Sequence, residues 1–291
     1  MPKLFENLLI SSPNGGGLFF CNDGDVSCLD SQNSTGIFFH NKIMLRGIQP
    51  NKLCIYSDPT LLIQDESTDF DDIHDVFWDG GFCYLVATAR NEIVKLTIEG
   101  EVLQRWTFPG ERDSWHINCL GSWQGRIIFS AFGDFREHRA YKGKSTGNGF
   151  VQDLFSGERL ISGLSQPHSL VDCNDNLLMA NSEQQEILEF SIDGKILRSK
   201  QLNGYTRGIC VHEDVIYVGL SCSRNIEYSE IATATIVALS RSTLSELGRL
   251  EILAKEIYSI QHIFNKEKLP RALATIETPA FSNAQRATSQ S

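Results

Sequence analysis

What this 291-residue chain lacks narrows it first. No stretch approaches the eighteen or so consecutive apolar residues of a spanning helix, so no membrane segment is expected. The opening MPKLFENLLISSPNGGG has no basic start, long apolar stretch or small-residue cleavage site, so it does not read as a signal peptide, and the expected location is cytoplasmic. Positive charge is scarce: 26 Lys and Arg stand against 36 Asp and Glu, a net charge of −10. Tracking a phosphate backbone needs clustered Lys and Arg, so no nucleic-acid partner is expected. The eight cysteines (Cys21, Cys28, Cys54, Cys83, Cys119, Cys173, Cys210, Cys222) form no C-x-x-C, and several lie inside apolar runs such as FCYLV and RGICV. That is the pattern of reduced, buried thiols rather than of a disulfide frame or thiolate metal site. No G-x-G-x-x-G opens a helix, and neither G-x-x-x-x-G-K-[ST] nor H-E-x-x-H occurs. SGERLISG lacks the spacing of a nucleophile elbow.

What is present points to an all-β protein. The apolar fraction is 41% with 17 Phe, enough for a substantial core, while 23 Gly and many Asx-Gly pairs break the chain too often for helices. A repeat of roughly forty residues runs through it, the period of propeller blades. IHDVFWDGGFCYLVATARNEIVKLTIEGEVLQRWTF, from Ile73, and PHSLVDCNDNLLMANSEQQEILEFSIDGKILRSKQL, from Pro167, match nearly strand for strand. Each reads as an inner strand, a turn, an apolar strand, a polar turn, an alternating strand, an Asp/Glu-Gly turn and an outer polar strand. WHINCLGSWQGRIIFSAFG, from Trp115, begins a third unit, interrupted by the polar, Gly-rich DFREHRAYKGKSTGNG; TRGICVHEDVIYVGLSCSRN, from Thr206, begins a fourth, and LRGIQPNKLCIYSDPTLLIQD reads as a shortened fifth. The sixth is shared between the ends, with LLISSPNGGGLFFCNDGDVSCLDSQNSTGIFF supplying outer strands and EIYSIQHIF the inner one. The expected fold is one six-bladed β-propeller over residues 1–270, its last blade closed by N- and C-terminal strands, followed by a polar tail at 271–291.

Aligning the blade starts brings out one column: Arg46 in LRGI, His74 in DIHDV, His116 in SWHIN, His168 in QPHSL, Arg207 in YTRGI and, by matching SIQHI to DIHDV, Gln261, with His262 the competitor one residue on. Inner strands line the central channel of a propeller, so residues at one depth converge on its axis. Three imidazoles with open positions suit a catalytic divalent metal such as Zn, Mn or Fe, with His74, His116, His168 and Gln261 as the candidate ligands. Asp75 and Asn118 are candidates for an outer shell that orients the imidazoles. Arg46 and Arg207 are placed to hold an anionic substrate, although each can equally pair with an acidic side chain. A metal-free polar pocket and a purely structural polar channel also satisfy the pattern. Around the rim, Arg90, Asn91, Asn181, Glu183, Ser221 and Arg224 are candidate substrate contacts, as is Asn118, and the insertion carrying His138, Arg139, Tyr141 and Lys144 is a candidate lid or an idle surface loop.

The order DIHD, H-[IL]-N, SGERLISGLSQPHS, GYTRG with VGLS, and EIYSIQ resembles an uncharacterised bacterial propeller family of conserved hypothetical proteins, over about residues 72–264. The resemblance implies that His74, His116, His168, Arg207 and Gln261 belong to the family pattern, and it implies no activity. In that pattern the residue after the matching Gln is apolar, which favours Gln261 over His262; the N-terminal blades match poorly, which leaves Arg46 less well supported. By analogy, the channel looks like that of propeller lyases that bind a divalent metal through three His and a Gln. The expected function is therefore a metal-dependent lyase, isomerase or hydrolase acting on a small anionic molecule, with Fe(II) oxygen chemistry as a variant. The alternative is a non-catalytic propeller that binds a ligand or a protein.

Overall fold

In the computed structural model the described residues are 4–40, 43–57, 60–66, 69–222, 233–264 and 273. Their twenty-four strands form six four-stranded antiparallel sheets, the blades of a six-bladed β-propeller. The inner strands are Ser34–His40, Ile73–Asp79, Ile117–Trp123, Pro167–Cys173, Tyr205–His212 and Ser259–His262, and each packs against the next around the ring. Among the described residues no helix is long and apolar enough to cross a membrane.

Local sequence explains the hairpins. Gly80-Gly81, Gln124-Gly125 and Asn174-Asp175 each join an inner strand to the second strand of its blade, and all six residues have positive φ. A two-residue turn of that hand matches the twist of the strands it connects, and Gly and Asx tolerate it best.

The apolar core is divided into six clusters, each lying between two neighbouring blades. One joins Leu45, Leu53 and Ile55 to Ile73, Val76 and Leu85; another joins Tyr84 and Val86 to Trp115, Ile117 and Phe129. The ring closes through Leu9, Leu18 and Phe20, which pack on Met44, Cys54 and Tyr56. Alternating strands with two apolar faces produce this arrangement, because each blade must bury both sides against its neighbours. Packing is thus between blades, and the axis is left to polar groups.

The closing blade pairs Ser259–His262 with Leu8–Ser12, in a register that sets Leu9 opposite Gln261 and Ile10 opposite Ile260. It is completed by Gly17–Asn22 and Asp25–Asp30. One boundary differs from the sequence reading. The segment STGIFF is the inner strand of the next blade, not an outer strand of the closing one, and LRGI falls in that blade's second strand, Ile43–Ile48. The expected tail lies outside the described residues apart from Leu273, which is buried against the cluster that closes the ring.

Candidate functional site

Six hydroxyl latches set the depth at which side chains meet. In each, a Ser or Thr donates to an inner-strand carbonyl of the following blade: Ser11 to Thr35, Thr35 to Ile73, Thr88 to Ile117, Ser130 to Pro167, Ser182 to Thr206 and Ser221 to Ile257. The accepting residues are therefore equivalent. One residue further along, the six positions at the channel are Gly36, His74, Asn118, His168, Arg207 and Tyr258. Five of the inner strands carry a bulge here, which turns the side chains toward the axis. At Gly36 there is no room for a Cβ, because the Asp75 carboxylate fills the space.

The ring differs from the sequence reading at three blades. Arg46 stands on a second strand, fully buried, and its nitrogens are all occupied: Nη1 by Asp30 at 2.6 Å, Nε and Nη2 by Ser34 Oγ, and Nη2 also by the Gln32 carbonyl. It is a latch between two blades and not a channel residue. Asn118 takes the place expected for His116, which precedes its strand with φ 47° and sits nearer the mouth. Tyr258, which the sequence reading missed, takes the place expected for Gln261, three residues further down the strand. The signal was present as Ile257-Tyr258-Ser259, which matches Ile73-His74-Asp75 without a gap. His262 lies outside the ring, stacked on His212 with the ring centroids 3.4 Å apart.

The inner part of the ring is a closed hydrogen-bond relay. The Tyr258 hydroxyl donates to Asn118 Oδ1 at 2.8 Å, and Asn118 Nδ2 donates to His168 Nε2 at 3.0 Å. His168 Nδ1 must then carry the proton, shared with the Gln166 carbonyl at 2.8 Å and Ser182 Oγ at 2.7 Å. Burial, reinforced by the nearby Arg207 charge, drives the His168 pKa well below the usual imidazole range and keeps it neutral.

The mouth holds a second pair of imidazoles. The rings of His74 and His116 lie 5.0 Å apart, edge to face. His74 Nδ1 faces the Asp72 carbonyl at 3.2 Å and carboxylate at 3.4 Å, while His116 Nδ1 lies 2.8 Å from Asp113 Oδ1. Burial opposes a charge on both rings. At His74 the Asp72 carboxylate outweighs burial and raises the pKa. At His116 burial prevails, helped by repulsion from His74, and the pKa falls to about 4 despite Asp113. Asp113 Oδ2 is held in turn by Arg139 Nε at 2.6 Å and the Tyr141 hydroxyl at 3.0 Å, so the insertion at 133–149 reaches into the site. Asp72, His74, His116, Arg139 and Tyr141, with Asn14, Lys142, Arg207 and Tyr258, line a cavity of about 190 Å³.

Of the metal set expected from the sequence, His74 and His116 lie side by side, while His168 and Gln261 stand apart from them. Both nitrogens of His168 are committed, Gln261 lies below the ring, and among the described residues no group of three or more His, Cys, Asp or Glu side chains is arranged to hold a metal ion. Asp75, expected to orient an imidazole, instead accepts the backbone N–H groups of Leu120 at 2.8 Å and Val76 at 3.0 Å. The rim candidates are also spread out. Asn181 is buried and capped by Ser165 N and Glu186, and Glu183 accepts from Ser145, tying the insertion to a blade. Asn91 holds Glu111 O and Ser114. Arg90 lines a separate open groove with Asp71 and Glu111, and Arg224 lies outside the described residues.

The fold and the site define a six-bladed propeller with a histidine-lined cavity at the mouth of its channel. Residues 60–273 match the domain of unknown function DUF4915, and the chain belongs to that family. No curated protein matches its sequence. Among solved structures, it is similar to a protein of unknown function from Bacteroides caccae, at 12% identity over 89% of this chain and 98% of that one, with a TM-score of 0.65. It is similar also to a chain of a nidogen/laminin complex, at 11% identity over 87% and 97%, TM-score 0.64. The WD40 propeller domain of Doa1 matches at 11% identity over 88% and 77%, TM-score 0.51. At these identities the likeness is one of fold.

Proposed function

We propose that the protein binds a small anionic molecule in the channel-mouth cavity and moves a proton on it, with His74 as the acid and His116 as the base. The observation that carries this reading is the pair itself: two imidazoles 5.0 Å apart whose surroundings push their proton affinities in opposite directions. An environment that splits like groups in this way assigns the acid and the base. Near neutral pH His116 is unprotonated, and with Nδ1 turned to Asp113 its Nε2 is left to accept a proton from a substrate carbon or hydroxyl. His74, held toward its protonated form by Asp72, gives a proton to the atom on which negative charge develops. Arg207 and Lys142 supply the positive field for an anion. Isomerisation and elimination both proceed through such a proton abstraction at carbon. The eight free thiols fit a reducing, cytoplasmic setting.

The test is solvent-proton exchange. The protein is incubated in D₂O with a panel of small hydroxy, oxo and sugar acids, and deuterium incorporation is read by mass spectrometry. Exchange into one of them, reduced about a hundredfold or more in His74→Gln and in His116→Gln, is the expected result. Saturable binding without exchange overturns it in favour of a non-catalytic binding propeller.

A further inference from the structure

Arg207 holds an unmet commitment. Its side chain is nine-tenths buried and borders the cavity. Nη1 is taken by Glu256 Oε2 at 2.6 Å, and the other oxygen of Glu256 is held by Asn14 Nδ2 at 2.9 Å, so that carboxylate is fixed. The guanidinium carbon lies 5.1 Å and 5.5 Å from the ring centroids of Tyr205 and Tyr258, which restrain its plane. Nε, also buried, meets no acceptor among the described residues. A buried guanidinium N–H without an acceptor is rare, because nothing offsets its desolvation. Arg46, whose three nitrogens all find partners, shows how this chain satisfies an arginine that has only a structural role.

We infer that the ligand of the cavity is a small monocarboxylate, received by the Nε–Nη2 edge of Arg207 as that edge opens to the cavity, with its far end presented to His74 and His116. The two N–H groups on that edge point the same way and match the two oxygens of a carboxylate. The charge around the cavity suits a small anion. Arg139, Lys142 and Arg207 line it against one carboxylate, Asp72, while the carboxylates of Asp113 and Glu256 are paired to Arg139 and Arg207 behind that lining. Those nearby carboxylates repel a phosphate dianion more strongly than a single negative charge. The cavity of about 190 Å³ has room for an acid of a few carbons. The location rests on the proton-handling site proposed above, whereas the choice of carboxylate rests on Arg207 alone.

The test is ligand titration followed by the Arg Nε–Hε signals in ¹H–¹⁵N spectra of the whole chain. The probes are two- to five-carbon hydroxy- and oxo-monocarboxylates, their neutral amides and inorganic phosphate. The expected result is a saturable downfield shift of the Arg207 Hε signal with at least one monocarboxylate, and binding about tenfold or more weaker for its amide and in Arg207→Lys, which keeps the charge but loses the paired donors. No response to any carboxylate, a response to phosphate in their place, or equal affinity in Arg207→Lys overturns it. The wild-type spectrum decides the question even if that variant does not fold. Carboxylate binding without solvent exchange sinks the proton-transfer reading and leaves this one standing; exchange on an anion that is not a carboxylate does the reverse.

Discussion

The hydroxyl of Tyr258 donates to the side-chain carbonyl of Asn118 across the channel, joining two blades through residues 140 apart in sequence. Through Asn118 the bond reaches His168, so one relay spans three blades and sets one tautomer. The polar axis of this propeller is therefore a satisfied network on one side and a histidine cavity on the other.

Removing the middle of the relay costs more than removing its end. Tyr258→Phe loses one hydrogen bond and should destabilise by about 1 kcal/mol. Asn118→Ala strands the tyrosine hydroxyl and His168 Nε2 together and should cost about 2–3 kcal/mol. Urea unfolding of the two variants checks the order.

The two mouth histidines should titrate far apart. Imidazole NMR is expected to show His116 neutral until the pH falls toward about 4, and His74 still charged above its ordinary value of 6.5. In Asp72→Asn, burial is unopposed by the neighbouring carboxylate and the His74 pKa should drop below 6.5. Stability follows the same signs: the His74 contribution is full below 6.5 and is lost as pH rises through its raised folded pKa, while the His116 contribution is lost as pH falls from 6.5 toward about 4.

Asp75 predicts a stability slope. Burial pushes its carboxyl up to about 7, against the pull of the Leu120 and Val76 amides. A raised folded pKa means that the native state binds more protons than the unfolded one between the ordinary 3.8 and about 7. Wild-type stability should therefore fall relative to Asp75→Asn as pH rises from about 4 through 7, by at most about 1.4 kcal/mol per pH unit. Parallel curves for the two proteins count against a buried, proton-bearing Asp75.

The two arginines should separate cleanly. Arg46→Met removes one partner of a buried pair with Asp30 and is expected to cost about 3–5 kcal/mol while leaving the titrations of His74 and His116 in place. Arg207→Lys should instead lose ligand affinity. Denaturant unfolding and ligand titration on both variants separate the roles.

The architecture was legible because hairpin turns and alternating apolar residues act within one blade, where spacing in sequence is spacing in space. Gly80-Gly81 and Asn174-Asp175 announce their turns unaided. The ring was harder to read because it depends on relations between blades. His74, His168 and Arg207 follow the repeat, and each stands one residue after a latch carbonyl. Arg46 was misplaced because the inner strand of its blade, Ser34–His40, carries Gly36 where others carry a polar side chain, so LRGI looked like the better match to YTRGI. In sequence His116 matches the imidazoles of the neighbouring blade starts better than Asn118 does, and only the latch from Thr88 to Ile117 sets the register. The unmet Nε of Arg207 has no sequence signature, since it depends on where Glu256 and two tyrosine rings stand.

The closing strand has a consequence for how the site comes into being. Tyr258 immediately precedes a four-residue strand, Ser259–His262, whose partner, Leu8–Ser12, stands at the other end of the described residues. During synthesis the early blades can pack in turn as they emerge, yet the cavity acquires its last wall only when residues separated by nearly the whole described chain find each other. Occupancy of the site therefore reports that the ring has closed, and a ligand that bridges Arg207 and the mouth histidines acts as a fastener drawn across the seam.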